Sequence, residues 1–383
     1  MTRVAIKPDL LRWARERARK STIEMQARFP KLTQWENGEL QPTLKQLEDF
    51  ANVVHVPFGY LFLSEPPAEP LPLPDFRTVG SRTVTRPSPD LLDTIYACQE
   101  RQSWFRSYAQ VTQQSALRFV GSMTTQVDAE AAAKQIADAL NFDLDARRDC
   151  PTWTEALRDF IRRAESLGVL VMVSGVVLNN NYRHLDPDEF RGFALSDELA
   201  PLVFINGADS KSAQMFTLAH ELAHLWLGES ALSDAGPSST PQNQIERWCN
   251  RVAAELLAPL VVVRAEIRAN EDLETAVNRL ARRFKVSTLV ILRRLLDASV
   301  LTRQQFETAY AQEVEKLKNK MSGDVGGGNF YLTTAARVSK RFARALVEST
   351  LEGRTLYRDA FRMLGIAKTE TFNEFGRSLG MAL

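Results

Sequence analysis

Apolar residues fall at helical spacing along most of this chain and at strand spacing in one short stretch. Leu10-Leu11-x-Trp13-Ala14 opens a first helix that runs to Ala18. A short helix closes on Trp35-Glu36-Asn37-Gly38, where glycine accepts the left-handed backbone of a helix end. Another opens at Pro42-Thr43-Leu44 and runs to about Val54, and Leu61-Phe62-Leu63 closes this first unit. Helices are predicted over residues 91–113, 128–140 and 152–166. Three compact apolar runs follow, Leu170–Val173, Arg191–Leu195 and Leu202–Ile205, and their Gly, Asp and Asn boundaries mark them as strands. The last of these, taken as Leu202–Asn206, is expected at the edge of the sheet because it leads directly into the next helix. That helix, Gln214–Leu227, contains neither Pro nor Gly. A further helix begins at Gln244 and is stopped near Pro259. Beyond it, amphipathic helices from Leu273 and from Leu289 flank a turn at Lys285-Val286-Ser287. Their spacing allows a helix-turn-helix, but packing against the core is the expected role. The pattern predicts an α+β fold, mainly α, with a small β-sheet in its core and helical domains at both ends.

The polar interruptions of the helix Gln214–Leu227 carry chemistry. His220-Glu221-Leu222-Ala223-His224 places two imidazoles four residues apart, on one helix face, with Cβ atoms roughly 5–6 Å apart. Both rings can then reach one zinc ion at about 2.0–2.1 Å. Glu221 lies to the side of that pair, where it can take a proton from an attacking water. The plainer explanation is an amphipathic surface helix with stray polar residues. It fits poorly, because the chain holds four histidines, two of them fall here, and apolar positions flank them.

A catalytic zinc takes three protein ligands and leaves one position open. Glu246 follows His224 by 22 positions (246 − 224), across a Gly-, Ser- and Pro-rich stretch that lets the second helix fold back beside the first. Glu255 is a rival third ligand and Glu229 a weaker one. Glu246 and Glu255 are nine positions apart (255 − 246), about half a turn out of phase, so they do not share a face. Asn250, one turn after Glu246, is placed to hold the distal nitrogen of a ligand histidine.

These residues resemble a known family. Phe216-Thr217-Leu218-Ala219-His220-Glu221-Leu222-Ala223-His224, followed by Glu246-x-x-Cys249-Asn250-x-x-Ala253-Ala254-Glu255-Leu256-Leu257-x-Pro259, is similar to the ImmA/IrrE metallopeptidases over roughly residues 150–300. The resemblance implies a zincin-like fold, a Zn²⁺ cofactor held by His220, His224 and Glu246, and cleavage of a protein partner, often a transcriptional repressor. In zincins a sheet borders the cleft, and its edge strand pairs with the extended backbone of a substrate. Tyr182, Arg183 and His184, in the loop before the second strand, are candidates to polarise a scissile carbonyl, though an exposed polar loop is the simpler reading.

Composition changes this picture little. The chain has 383 residues, 44% hydrophobic, with 48 Lys and Arg against 47 Asp and Glu. It is long enough for two or three domains and is neither disordered nor uniformly basic. No apolar run reaches about 18 residues, and the N-terminus has no secretory pattern. Cys98, Cys150 and Cys249 are scattered, as in reduced cytoplasmic proteins, and Cys249 reads as a small apolar residue rather than a ligand.

The ends of the chain bear on partners. Four regions are expected: residues 1–64, a linker over 65–90, a catalytic domain over 91–300 and a helical region over 301–383. The first resembles the lambda-repressor-like helix-turn-helix domains, which some ImmA/IrrE relatives carry. Between Ile23 and Trp35, however, the recognition helix looks about a turn short, and residues 1–55 hold only ten basic against seven acidic residues. Weak, salt-sensitive DNA binding is therefore the most expected of it. The linker is rich in proline, and Asp75-Phe76-Arg77 is expected to dock on the domain that follows. Between Lys316 and Lys368, a span that contains a glycine-rich break at Ser322–Gly328, eleven basic residues face four acidic ones. Lys340, Arg341, Arg344, Arg354 and Arg358 are expected to bind an acidic macromolecular partner. Two function classes follow. One is a zinc endopeptidase acting on a regulatory protein. The other is a regulator or antitoxin-like protein that binds DNA or a partner, such as a neighbouring gene's toxin, and keeps the metal fold as a scaffold.

Overall fold

The computed structural model describes residues 3–76, 86–233, 243–320 and 330–381. They divide into two compact units: Met1–Pro72 with Arg82–Tyr96, and Leu73–Ser81 with Ala97–Leu383.

The first unit is helical: α1 Pro8–Arg17, α2 Thr22–Gln26, α3 Leu32–Glu36 and α4 Leu44–Val53, then a 3₁₀ turn at Phe58–Phe62. Its core gathers Leu11, Trp13, Phe29, Leu32, Trp35 and Phe50. Thr43 and Gln46 close a capping box that starts α4. A buried ion pair, Arg15 Nε to Glu36 Oε1 at 2.7 Å, ties α1 to α3. α3 has five residues, of which Leu32 and Trp35 are in the core and Thr33 and Gln34 are exposed.

The second unit carries α5 (Pro89–Val111, from Ala97 on), α6 (Ala129–Leu140), α7 (Leu144–Arg148) and α8 (Trp153–Leu167). Then come β1 (Leu170–Ser174), β2 (Gly192–Leu195) and β3 (Leu202–Asn206), α9 (Lys211–Leu227), β4 (Ala231–Ser233) and α10 (Gln244–Leu257). Eight helices follow: α11 (Leu260–Ala265), α12 (Leu273–Phe284), α13 (Thr288–Asp297), α14 (Arg303–Lys320), α15 (Phe330–Val338), α16 (Lys340–Leu351), α17 (Tyr357–Leu364) and α18 (Thr369–Ser378). The fold is α+β and mainly α. Among the described residues no helix is long and apolar enough to cross a membrane.

The sheet runs in the order β1-β3-β2-β4, with β1 parallel to β3 and the other two pairs antiparallel. This corrects the expectation that Leu202–Asn206 forms the edge. All five residues of β3 are buried, and it is paired on both sides. A continuous apolar run without alternation suits a strand covered on both faces, and the edges fall to β1 and to the short β4. One large core joins α6, α8, α9, α10, α12 and α13 to β1, β2 and β3, with Trp226, Trp248, Phe160 and Phe284 in it. Residues 330–381, read from sequence as part of a separate region, fold in this same unit, where α15 and α16 pack on β1.

Candidate metal centre

α9 is fixed at both ends. Ser210 caps its start by accepting from Ala213 N, and the buried Gln214 amide donates to Gly207 O and Asp209 O. Gly228 ends it at φ 75°, in the left-handed region. The amides of Gly121 and Met123 then donate to the helix-end carbonyls of Leu225 and Trp226, at 3.0 and 2.9 Å. With its ends held, α9 presents two working faces. Thr217 and Glu221 face β2, where a Cβ on Gly192 would stand 2.5 Å from Thr217 Cγ2 and 3.4 Å from Glu221 Cγ. His220 and His224 face α10, which supplies Glu246 and Asn250.

Four polar groups meet in this dry interface. His220 Nε2 lies 3.2 Å from Glu246 Oε2, His224 Nε2 lies 2.9 Å from Glu246 Oε1, and the two Nε2 atoms are 3.1 Å apart. On the far side of the first ring, His220 Nδ1 is 3.0 Å from Asn250 Oδ1. An amide oxygen only accepts, so Nδ1 carries the hydrogen in the neutral ring and Nε2 keeps its lone pair. That lone pair points toward the other imidazole and a carboxylate, a convergence of electron-rich atoms that calls for a cation. Ligand atoms around a tetrahedral zinc with bonds of about 2.0–2.1 Å stand roughly 3.3 Å apart, close to the spacings found here. The residues present therefore fit a metal ion, and among the described residues His220, His224 and Glu246 are the group that could hold one.

Electrostatics separates the two carboxylates. Burial pushes Glu221 up to about 8 against the opposing influence of the nearby Ser233 hydroxyl, and neither of its oxygens has a partner in full hydrogen-bond geometry. Burial also opposes the charge on Glu246, but His220 and His224 outweigh it and hold that carboxyl well below its usual range. One buried carboxyl is thus held charged between the two imidazoles, and burial favours the protonated form of the other beside it.

The stretch from the end of α8 to α13, which contains all four strands and both motif helices, can now be placed. Residues 164–296 match the peptidase family model described as the IrrE N-terminal-like domain. The match supports a metallopeptidase-type function and a zincin-like fold for this part of the chain. It covers α9 and α10 and ends in α13. Residues 338–378, essentially α16 to α18, match a model described only as a domain of unknown function. No curated protein matches the chain.

Within residues 164–296 the other sequence candidates lie apart from the candidate metal centre. Glu255 accepts from Arg294 Nη2 at 2.6 Å and from Leu260 N at 3.1 Å, which fastens α10 to the helices after it. Glu229 is outside the ligand cluster. Tyr182 is 97% exposed and His184 is exposed, and neither they nor Arg183 join the cluster. Cys249 is buried in the core, where desolvation keeps its thiol protonated. Beyond the domain, the five basic residues are dispersed in their contacts. Arg341 stacks 5.3 Å over Phe105 and donates to Gln114, and Arg344 donates to Leu379 O. Arg354 pairs with Glu352 at 3.2 Å, Arg358 with Asp359 at 3.7 Å, and Lys340 is exposed.

Two contributors escaped sequence reasoning, and a third was read only as part of a docking segment. Ser233 Oγ lies 3.3 Å from His224 Nε2 and 3.4 Å from Glu246 Oε1. Gly192, opposite Ser233 in the β2–β4 register, lets the sheet close on α9. Phe76 lays its ring against His224, with centroids 6.4 Å apart and planes 24° apart. Asp75-Phe76-Arg77 did stand out in the sequence as a docking segment. Arg77 lies outside the described residues, and so does the glycine-rich break at Ser322–Gly328.

Proposed function

We propose that this protein is a cytoplasmic zinc-dependent endopeptidase that cleaves a regulatory protein, such as a transcriptional repressor. One observation carries the reading: an unpartnered, buried Glu221 beside three convergent ligands, on the scaffold of a peptidase family. Bound at His220, His224 and Glu246, zinc would supply a Lewis acid for the scissile carbonyl and make water a better nucleophile near neutral pH. The rest falls to the chain. Glu221 accepts the proton of the attacking water and passes it to the departing amine, a role suited to a carboxylate whose affinity for protons burial has raised. Asn250 keeps His220 in the tautomer that ligates. The buried walls from α9, α10 and β4 exclude bulk water.

Glu221→Gln tests this reading, since it removes the base and leaves the three ligands. Purified with zinc, the variant should keep the metal content of the native chain and lose about 10²- to 10⁴-fold in cleavage rate on the co-purified product of a neighbouring gene. The competing view is a DNA- or toxin-binding regulator with the metal fold as scaffold. Full function of Glu221→Gln in cells would favour that view and end the peptidase reading. The five-residue α3, with only Thr33 and Gln34 exposed between its two core anchors, supports giving DNA a minor part.

A further inference from the structure

β4 forms a wall of the metal centre through Ser233, and its outer edge is already in use. Leu232 N donates to Pro74 O, and Phe76 N donates to Leu232 O, both at 3.0 Å. Asp75 thus sits opposite Leu232 in a parallel bridge, extending the sheet by one short strand beyond β4. Leu73, just before it, is 8% exposed and anchors the segment, and Phe76, just after, covers the ring of the ligand His224. An extended backbone paired to a sheet edge, an apolar anchor on one side and a side chain set against the reaction centre on the other are what a bound peptide would show.

We propose that Leu73–Phe76 is a built-in occupant of the edge of β4, an autoinhibitory segment that an incoming extended peptide must displace. The partner this edge fits is an extended protein segment that offers backbone groups to Leu232 and a large apolar or aromatic side chain in the place of Phe76. The energetics suit displacement. Two backbone bonds hold the segment, in the parallel mode that is slightly weaker per residue than the antiparallel one. An occupied edge lowers the apparent affinity for any competitor by the fraction of molecules in which it is open. This inference rests on the peptidase reading only for the claim that the displacing peptide is a substrate.

The experiment uses the full zinc-loaded chain and a tripeptide hydroxamate, Pro-Leu-Gly-NHOH, as probe, with affinity measured by calorimetry. Phe76→Pro deletes the N–H that Leu232 O accepts. Phe76→Ala keeps the backbone and removes the ring. The probe should bind Phe76→Pro about ten-fold or more tightly than the native chain, with Phe76→Ala between them. Without probe, hydrogen exchange at the Leu232 amide should quicken in Phe76→Pro while the amides of β3 keep their protection. Equal affinities in the three proteins, or unchanged exchange at Leu232, would overturn the proposal. Neither readout needs turnover, and both are repeated with Glu221→Gln. If affinity and exchange respond as stated but the chain with Glu221 cleaves nothing, the docking edge stands and the peptidase reading falls.

Discussion

Asn250 decides which nitrogen of His220 is free for a metal. Its carbonyl oxygen faces Nδ1 at 3.0 Å, while its own Nδ2 has no partner and is buried. Asn250→Ala should therefore weaken zinc binding by about 10- to 100-fold, as loss of such an orienting partner commonly does. Competition with a chelator of known affinity would measure it. An unchanged constant would mean that packing of α9 on α10 alone fixes the ring. At this scale the sequence was legible wherever the chemistry is local. His220, Glu221 and His224 lie in five consecutive residues, and a helix turns that spacing into a shared face and a flank. Glu246 was reached by spacing and by resemblance, with Glu255 left open until Arg294 was seen to hold it. Ser233 was beyond reach, because its contacts with His224 and Glu246 exist only once the register of β2 with β4 is set.

Elements follow the hydrophobic pattern where they are long. α6, α8, α9 and α10 appear within a few residues of their expected limits, and so do β1, β2 and β3. β4 has three residues, too few for a period to show, and lay hidden in a stretch rich in Gly, Ser and Pro. The order of the strands was misjudged for a related reason: adjacency in sequence placed β3 beside α9, whereas pairing on both sides made it central. The contact of sheet with helix depends on Gly192. Its missing side chain lets β2 approach Thr217 and the backbone of Phe204, where a Cβ would come within 2.5 and 2.8 Å. Gly192→Ala should cost about 1–3 kcal/mol, as overpacking of a core does. Thermal unfolding of the zinc-free variant would read this without interference from ligand binding. A melting temperature equal to that of the native chain would show that β2 shifts freely.

Across the whole molecule, charge counting and packing give different views of the C-terminal helices. The sequence shows an excess of basic residues after a glycine-rich break and suggests a detachable module. In the fold, Glu165 of α8 accepts from Ser339 Oγ at 2.6 Å and Lys340 N at 2.8 Å, and the buried Arg101 donates to Met363 O. Charges were countable in the sequence, but their partners were not, since these bonds join residues more than 170 positions apart. Truncation after Ser322 would remove those hydrogen bonds and uncover the apolar side of β1 on which α15 and α16 pack, at a cost of about 25 cal/mol for each Å² of apolar surface exposed. The truncated chain should therefore melt about 4 °C or more below the full chain. Calorimetry of both would check this, and coincident transitions would show a module that folds apart from the sheet. The shortness of β4 has a consequence for solubility. An open sheet edge is a template for another chain, and long flat edges invite aggregation. Here, among the described residues, the edge beside the candidate metal centre turns outward the backbone of Leu232 alone, between Ala231 and Ser233. Releasing Leu73–Phe76 would expose one donor and one acceptor, enough to register a peptide and too few to recruit a second copy of the sheet.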